Sequence, residues 1–167
     1  MDTTLMNKGI PIENQIEGVT LTKLRQIVDE RGTVLHMLRS DAPEFTHFGE
    51  CYFSEVLPGT IKAWKCHRAQ TQNLAVPIGR IHMVVYDDRE GSVTHGQVQK
   101  FELGRPDAYL RLRIPPNVWY GFACIGDTPA LVANCTDLPH DPTESELRSL
   151  NDPKIPYHFG SLTYDPK

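Results

Sequence analysis

Lys65 and His67 are two ionisable residues two apart in Gly59–Gly79, a stretch that reads as strand, loop and strand. Side chains two apart on a strand share a face. Lys65 and His67 are therefore expected on one side of a sheet with Ile61 and Ala63, and Thr60, Lys62, Trp64 and Cys66 on the other. Polar groups beside small apolar ones suit a site at the mouth of a barrel, inside an apolar wall. An imidazole is matched to proton transfer at neutral pH. A lysine serves as a base when burial or cationic neighbours depress its pKa, and otherwise as a fixed positive charge. The same pattern also fits an edge strand with both groups in water, and nothing local separates the two readings.

The elements that must position this pair are short. Val19 onward reads as strands with turn signals between them. Asp29-Glu30-Arg31-Gly32 is a turn joining Thr20–Ile27 to Thr33–Leu38, and Glu50–Leu57 ends at Pro58-Gly59. Ile61–His67 and Asn73–Ile78 follow. Arg80–Tyr86 alternates, with Ile81, Met83 and Val85 on one face and His82, Val84 and Tyr86 on the other. Gln97–Leu103 comes next. In Ala108–Ile114, Leu110, Leu112 and Ile114 point inward, and Tyr109, Arg111 and Arg113 outward. Pro115-Pro116-Asn117 makes a corner before Gly121–Ile125 and Ala130–Cys135. Thr143 with Glu146 three residues on reads as a capping box that opens a short C-terminal helix. Many short strands with one terminal helix predict an all-β antiparallel sandwich or barrel. A single domain over residues 1–167 is expected, with residues 1–16 as a polar arm.

Composition narrows the function. The 167 residues are enough for a real core. A net charge of −4 and the absence of a basic run argue against a nucleic-acid partner. No apolar run is long enough to span a bilayer, and Met1–Gln15 has no signal-peptide pattern. Cys51, Cys66, Cys124 and Cys135 are scattered with no CxxC pair, which fits free thiols in a cytoplasmic protein.

The spacing Gly59, Lys65, His67, Gln72, Gly79 resembles the first cupin motif, and the proline corner before Tyr120 falls where the second begins. In that motif the metal positions correspond to Lys65, His67, Gln72 and Tyr120. Only His67 is a good ligand, so a metal-free site without a cofactor is expected. A narrower resemblance covers most of the chain. Asp29-Glu30-Arg31-Gly32, Gly59 with Ile61-Lys62-Ala63, and Tyr86-Asp87-Asp88-Arg89 with Gly91-Ser92 are its first pieces. Ile114-Pro115-Pro116 with Gly121-Phe122, Cys135-Thr136-Asp137 and Asn151-Asp152-Pro153 complete it. In this order they resemble the dTDP-4-dehydrorhamnose 3,5-epimerase family.

The resemblance implies a cupin-type jelly roll, a homodimer and a nucleotide-diphosphate 4-keto-6-deoxy sugar as substrate, in the building of surface polysaccharide. The chemistry is removal of a proton beside a ketone at C3, in many members also C5, and its return to the opposite face. The family's histidine base falls on Lys65, its tyrosine on Ala133 and its lysine near the keto oxygen on Gln72. The aspartate that orients the base is Asp152. The expected catalytic set is therefore Lys65, His67, Asp152 and Tyr120, with Lys65 or His67 as base. The expected substrate contacts are Arg31, Lys62, Gln72, Glu50 and Asn117, with Arg31 and Lys62 at the diphosphate. A binding protein that holds a nucleotide sugar without turnover is the alternative.

Overall fold

The computed structural model describes residues 15–161. Twelve strands follow in chain order. They are β1 (Thr20–Lys23), β2 (Gln26–Asp29), β3 (Gly32–Leu35), β4 (Glu50–Val56), β5 (Ile61–His67) and β6 (Gln72–Ile78). Then come β7 (Arg80–Asp87), β8 (Val98–Gly104), β9 (Leu110–Ile114), β10 (Val118–Cys124), β11 (Ala130–Thr136) and β12 (Ser145–Leu147). Two five-stranded sheets form, ordered β1-β9-β6-β11-β4 and β12-β5-β10-β7-β8, and β2-β3 is a separate hairpin. All named strand pairs are antiparallel, so the expected jelly-roll sandwich is what these strands build.

Alternation explains the layers. Ile81, Met83 and Val85 enter the core between the sheets with Leu74, Leu112, Ile114 and Val132. Val84 and Tyr86 point the other way, onto a second cluster of Trp64, Cys66, Trp119, Ile155 and Phe159. That cluster is closed by the C-terminal segment, where Tyr157 and Phe159 pack on Trp64. Inward and outward residues of one strand thus serve two apolar layers.

Four expectations change. Thr20–Ile27 is not one strand: β1 pairs with β9, and β2 leaves to form the hairpin with β3. Tyr109 and Arg111 do not face water. The chain at 36–44 covers them, Tyr109 donating to the His36 carbonyl and Arg111 to the Met37 carbonyl and to Glu44. The expected C-terminal helix is the strand β12, whose residues 145–147 pair with 67–65 of β5. Thr143 Oγ1 bonds Asp141 instead of capping a helix, because the open edge of β5 offers this segment a full ladder. Of the expected arm, residues 1–14 lie outside the described residues, and Ile16 is fully buried in the core.

Candidate active site

An irregularity in β5 shapes the site. Tyr120 pairs with Lys65 and Phe122 with Lys62, so three steps along β5 match two along β10. One extra residue is accommodated on β5, which is a β-bulge. Gly121 sits opposite it, and a Cβ there would lie 2.4 Å from the Ala63 Cβ. The bulge brings Lys62 to the same side as Lys65, against the simple alternation. Ile61 and Ala63 pack instead against the outer cluster with Trp64 and Cys66.

A cavity of about 290 Å³ opens between the sheets. Lys62, Lys65, Tyr120 and Phe122 line it from the β5–β10 side, and Tyr52, Ser54, Leu74, Val132 and Asn134 from the β4–β11–β6 side. Lys62 is exposed at the mouth, its Nζ donating to Ser54 Oγ at 2.8 Å and to the Glu55 carbonyl at 2.6 Å. Lys65 is half-buried, and among the described residues no carboxylate forms an ion pair with it.

Behind the Tyr120 phenol lies a chain of polar groups. Tyr120 Oη is 3.2 Å from His67 Nε2, and His67 Nδ1 contacts Glu144 Oε1. Glu144 Oε2 also accepts the Ala69 and Gln70 backbone N–H groups, at 3.1 and 3.3 Å. An ionised carboxylate only accepts, so the imidazole proton resides on Nδ1 and the Nε2 lone pair takes the Tyr120 O–H. Burial pulls the His67 pKa below its ordinary value. The Glu144 bond and charge oppose this, and electrostatic repulsion from Lys65 and His140 adds to it. Burial pushes Glu144 up, but the bonds from His67, Ala69 and Gln70 outweigh it and hold the carboxyl below its usual range. Burial drives the Tyr120 phenol well above its ordinary pKa. At neutral pH the chain therefore holds an ionised Glu144, a neutral His67 and a protonated Tyr120.

The facing wall has its own network. Asn134 Nδ2 donates to Tyr52 Oη at 2.8 Å and to Gln72 Oε1 at 2.7 Å. Asn134 Oδ1 accepts the Asn73 N–H at 3.1 Å, and Gln72 Nε2 donates to Gln70 Oε1 at 2.9 Å. Every polar atom of the Asn134 amide is thus committed.

The expected residues fall into two groups. Lys62, Lys65 and Tyr120 line the cavity, with His67 directly behind Tyr120. Gln72 is buried one layer back and fixes Asn134. The rest lie elsewhere. Asp152 does not orient Lys65: its Oδ1 accepts the Lys154 N–H and closes a local turn. Arg31 is 82% exposed in the β2–β3 hairpin, paired with Asp29. Glu50 opens β4 opposite Thr136. Asn117 is an exposed corner residue at φ 64°, in the left-handed region that Asn tolerates, and its N–H holds the His67 carbonyl at 2.6 Å. Ala133 lies between the cavity-lining Val132 and Asn134, so alternation turns its side chain to the other face.

Glu144, Tyr52 and Asn134 are the residues that sequence reasoning missed. Alternation in β4 puts Tyr52, Ser54 and Val56 on one face, which was a usable signal for Tyr52. Glu144 is 77 residues from His67, and no local pattern joins them. Among the described residues no group of three or more His, Cys, Asp or Glu converges to hold a metal ion, and no helix is long and apolar enough to cross a membrane.

Comparison with known proteins places the chain. A family model described as dTDP-4-dehydrorhamnose 3,5-epimerase matches residues 13–165. A probable low-salt glycan biosynthesis epimerase of Haloferax volcanii is 36% identical over 152 residues, which cover 90% of this chain and 94% of that protein. A spore coat polysaccharide biosynthesis protein of Bacillus subtilis is 33% identical over 135 residues, covering 81% and 89%. The crystal structure of a dTDP sugar isomerase from Desulfovibrio desulfuricans G20 matches with a TM-score of 0.85 at 59% identity, covering 87% of this chain and 92% of that one.

Proposed function

The chain belongs to the dTDP-4-dehydrorhamnose 3,5-epimerase family, and from that premise we propose that it epimerises a nucleotide-diphosphate 4-keto-6-deoxy sugar at C3 in glycan biosynthesis. The observation that carries this reading is the Lys65 ammonium beside a Tyr120 hydroxyl that is backed by His67 and Glu144, in a cavity where Leu74, Phe122 and Val132 supply apolar wall. Proton removal beside a ketone needs a base, and a cation or donor at the oxygen where enolate charge develops.

Lys65 has the charge and the position for the second role. With the sugar C4 carbonyl oxygen against its Nζ, the charge of the enolate meets the cation of a half-buried side chain. Tyr120 and His67 supply the first. The phenol oxygen takes the C3 proton as its own proton passes to His67 Nε2. The C–H electron pair becomes the C3–C4 double bond, and Glu144 stabilises the imidazolium. The cavity is at the small end of ligand pockets, which suits the sugar ring alone. The diphosphate then lies at the mouth beside Lys62.

Arg31 reaches no part of this cavity in its own chain, so its diphosphate role calls for a second copy. A homodimer is supported by the apolar residues left exposed on the hairpin, Ile27, Val28 and Val34, and by Phe53 on the edge strand β4. Exposed apolar groups and an unpaired edge both invite another chain.

Incubation with thymidine- and uridine-diphosphate 4-keto-6-deoxy sugars in deuterated water tests the reading. Deuterium at C3, with the epimer as product, is the expected result. Binding without exchange would mark a nucleotide-sugar carrier instead, and neither binding nor exchange would overturn both readings.

A further inference from the structure

Inversion needs a second proton-transfer group, one that meets the enolate from the side away from the base. Tyr120 stands on β10, and Tyr52 on β4 of the facing sheet, so a ring held in the cavity presents one face to each. Ala133 has no hydroxyl and points to the other face of β11, so it supplies no donor here. Resting on the epimerase reading above, we propose that Tyr52 is the acid that returns the proton, with Asn134 as its positioning residue.

The bonding pattern carries the assignment. Asn134 Nδ2 donates to Tyr52 Oη, so this bond uses the phenol's oxygen and leaves its O–H proton free to point at a ligand. The Tyr120 proton is already committed to His67. Asn134 cannot turn to accept from Tyr52, because its Oδ1 is held by the Asn73 N–H and its Nδ2 also binds Gln72. The same N–H stabilises the phenolate left after transfer. Burial raises the Tyr52 pKa and the Asn134 bond moderates the rise, so the phenol is protonated before each turnover.

In the step itself, the enolate double-bond pair forms the new C3–H bond with the Tyr52 proton. The C4 carbonyl re-forms, and the Tyr52 phenolate regains a proton from solvent. His67 releases the one it accepted, so no charge or electron is left over.

Tyr52→Phe removes one oxygen from a partly exposed side chain and leaves the fold in place. With thymidine- and uridine-diphosphate 4-keto-6-deoxy sugars in deuterated water, the variant is expected to keep C3 exchange within about threefold of the parent. Epimer formation should fall by about a hundredfold or more. Exchange then proceeds with retention, because the base returns deuterium to the face it came from. Epimer formation at the parent rate would overturn the assignment, and so would equal loss of exchange and inversion. If the parent protein itself exchanges none of these sugars, the epimerase reading fails first, and the two failures are told apart.

Discussion

The Tyr120 hydroxyl lies 3.2 Å from His67 Nε2, while the opposite ring nitrogen of His67 faces Glu144. The carboxylate thus fixes which nitrogen can accept a proton from the phenol. It does so while also taking the Ala69 and Gln70 N–H groups. Glu144→Gln disrupts this in either orientation. If the amide oxygen faces His67, its NH₂ meets two backbone donors. If it is flipped, the imidazole must change tautomer and present Nε2–H to Tyr120. A stability loss of about 1–3 kcal/mol is expected from the unsatisfied donors, with a roughly ten- to hundredfold fall in C3 exchange. Loss of the negative charge also removes what holds the His67 pKa up, so the acid limb of the rate profile should move to lower pH. Denaturant titration and a pH–rate profile measure the two effects. An unmoved acid limb would detach Glu144 from the proton path.

Lys65→Met separates charge from packing. Methionine retains an unbranched apolar stem at a half-buried position, so stability should stay within roughly 0.5 kcal/mol. Removal of the cation at the developing enolate should slow exchange by about a hundred- to a thousandfold, with a smaller change in KM. If KM rises and kcat holds, Lys65 binds the ground state and does not stabilise the enolate.

How much of this was legible in the sequence depends on how local each signal is. Ile81, Met83 and Val85 against His82, Val84 and Tyr86 is a period-two pattern, and both faces fall as it says. Lys65 and His67 do share a face, but Lys62 joins them only because β5 bulges where it pairs with β10, more than fifty residues on. Thr143 and Glu146 carry a helix-capping signal. The free edge of β5 wins over it and extends the segment as β12, which is what aims Glu144 at His67. Arg111 looks like a solvent residue until the chain around Glu44 folds over it. Each miss involves a partner remote in sequence, whose effect no propensity within a short window can register.

Acid sensitivity follows from the buried imidazoles. Burial lowers the pKa of His67 and of His82 from the ordinary value of 6.5. Where the folded pKa is depressed, the unfolded chain binds more protons through that range, so stability rises with pH. The contribution is complete above 6.5 and is lost as pH falls through that value towards the folded pKa values. Glu144 adds a second loss below its ordinary value of 4.5. Urea midpoints should therefore fall between about pH 7.5 and about pH 5.5, and His67→Asn should flatten part of that slope. A constant midpoint across the interval would mean that these imidazoles titrate in the fold as they do in the unfolded chain.

Arg31 gives the sharpest test of assembly. It sits at the tip of an exposed hairpin, where among the described residues Asp29 beside it is its one side-chain partner, and it is not among the residues that line the cavity. If it serves the cavity of a second copy, Arg31→Ala should raise KM for the nucleotide sugar with little change in stability. Lys65→Met in a different chain disables that chain's own cavity but leaves its Arg31 intact. Unfolding and refolding the two weak variants together then forms mixed dimers. Each mixed dimer has one site with both defects and one with none. Random pairing makes half the dimers mixed, so activity should recover to about a quarter of the parent value. No recovery, in a mixture shown by mass to contain mixed dimers, would place Arg31 outside the partner's site.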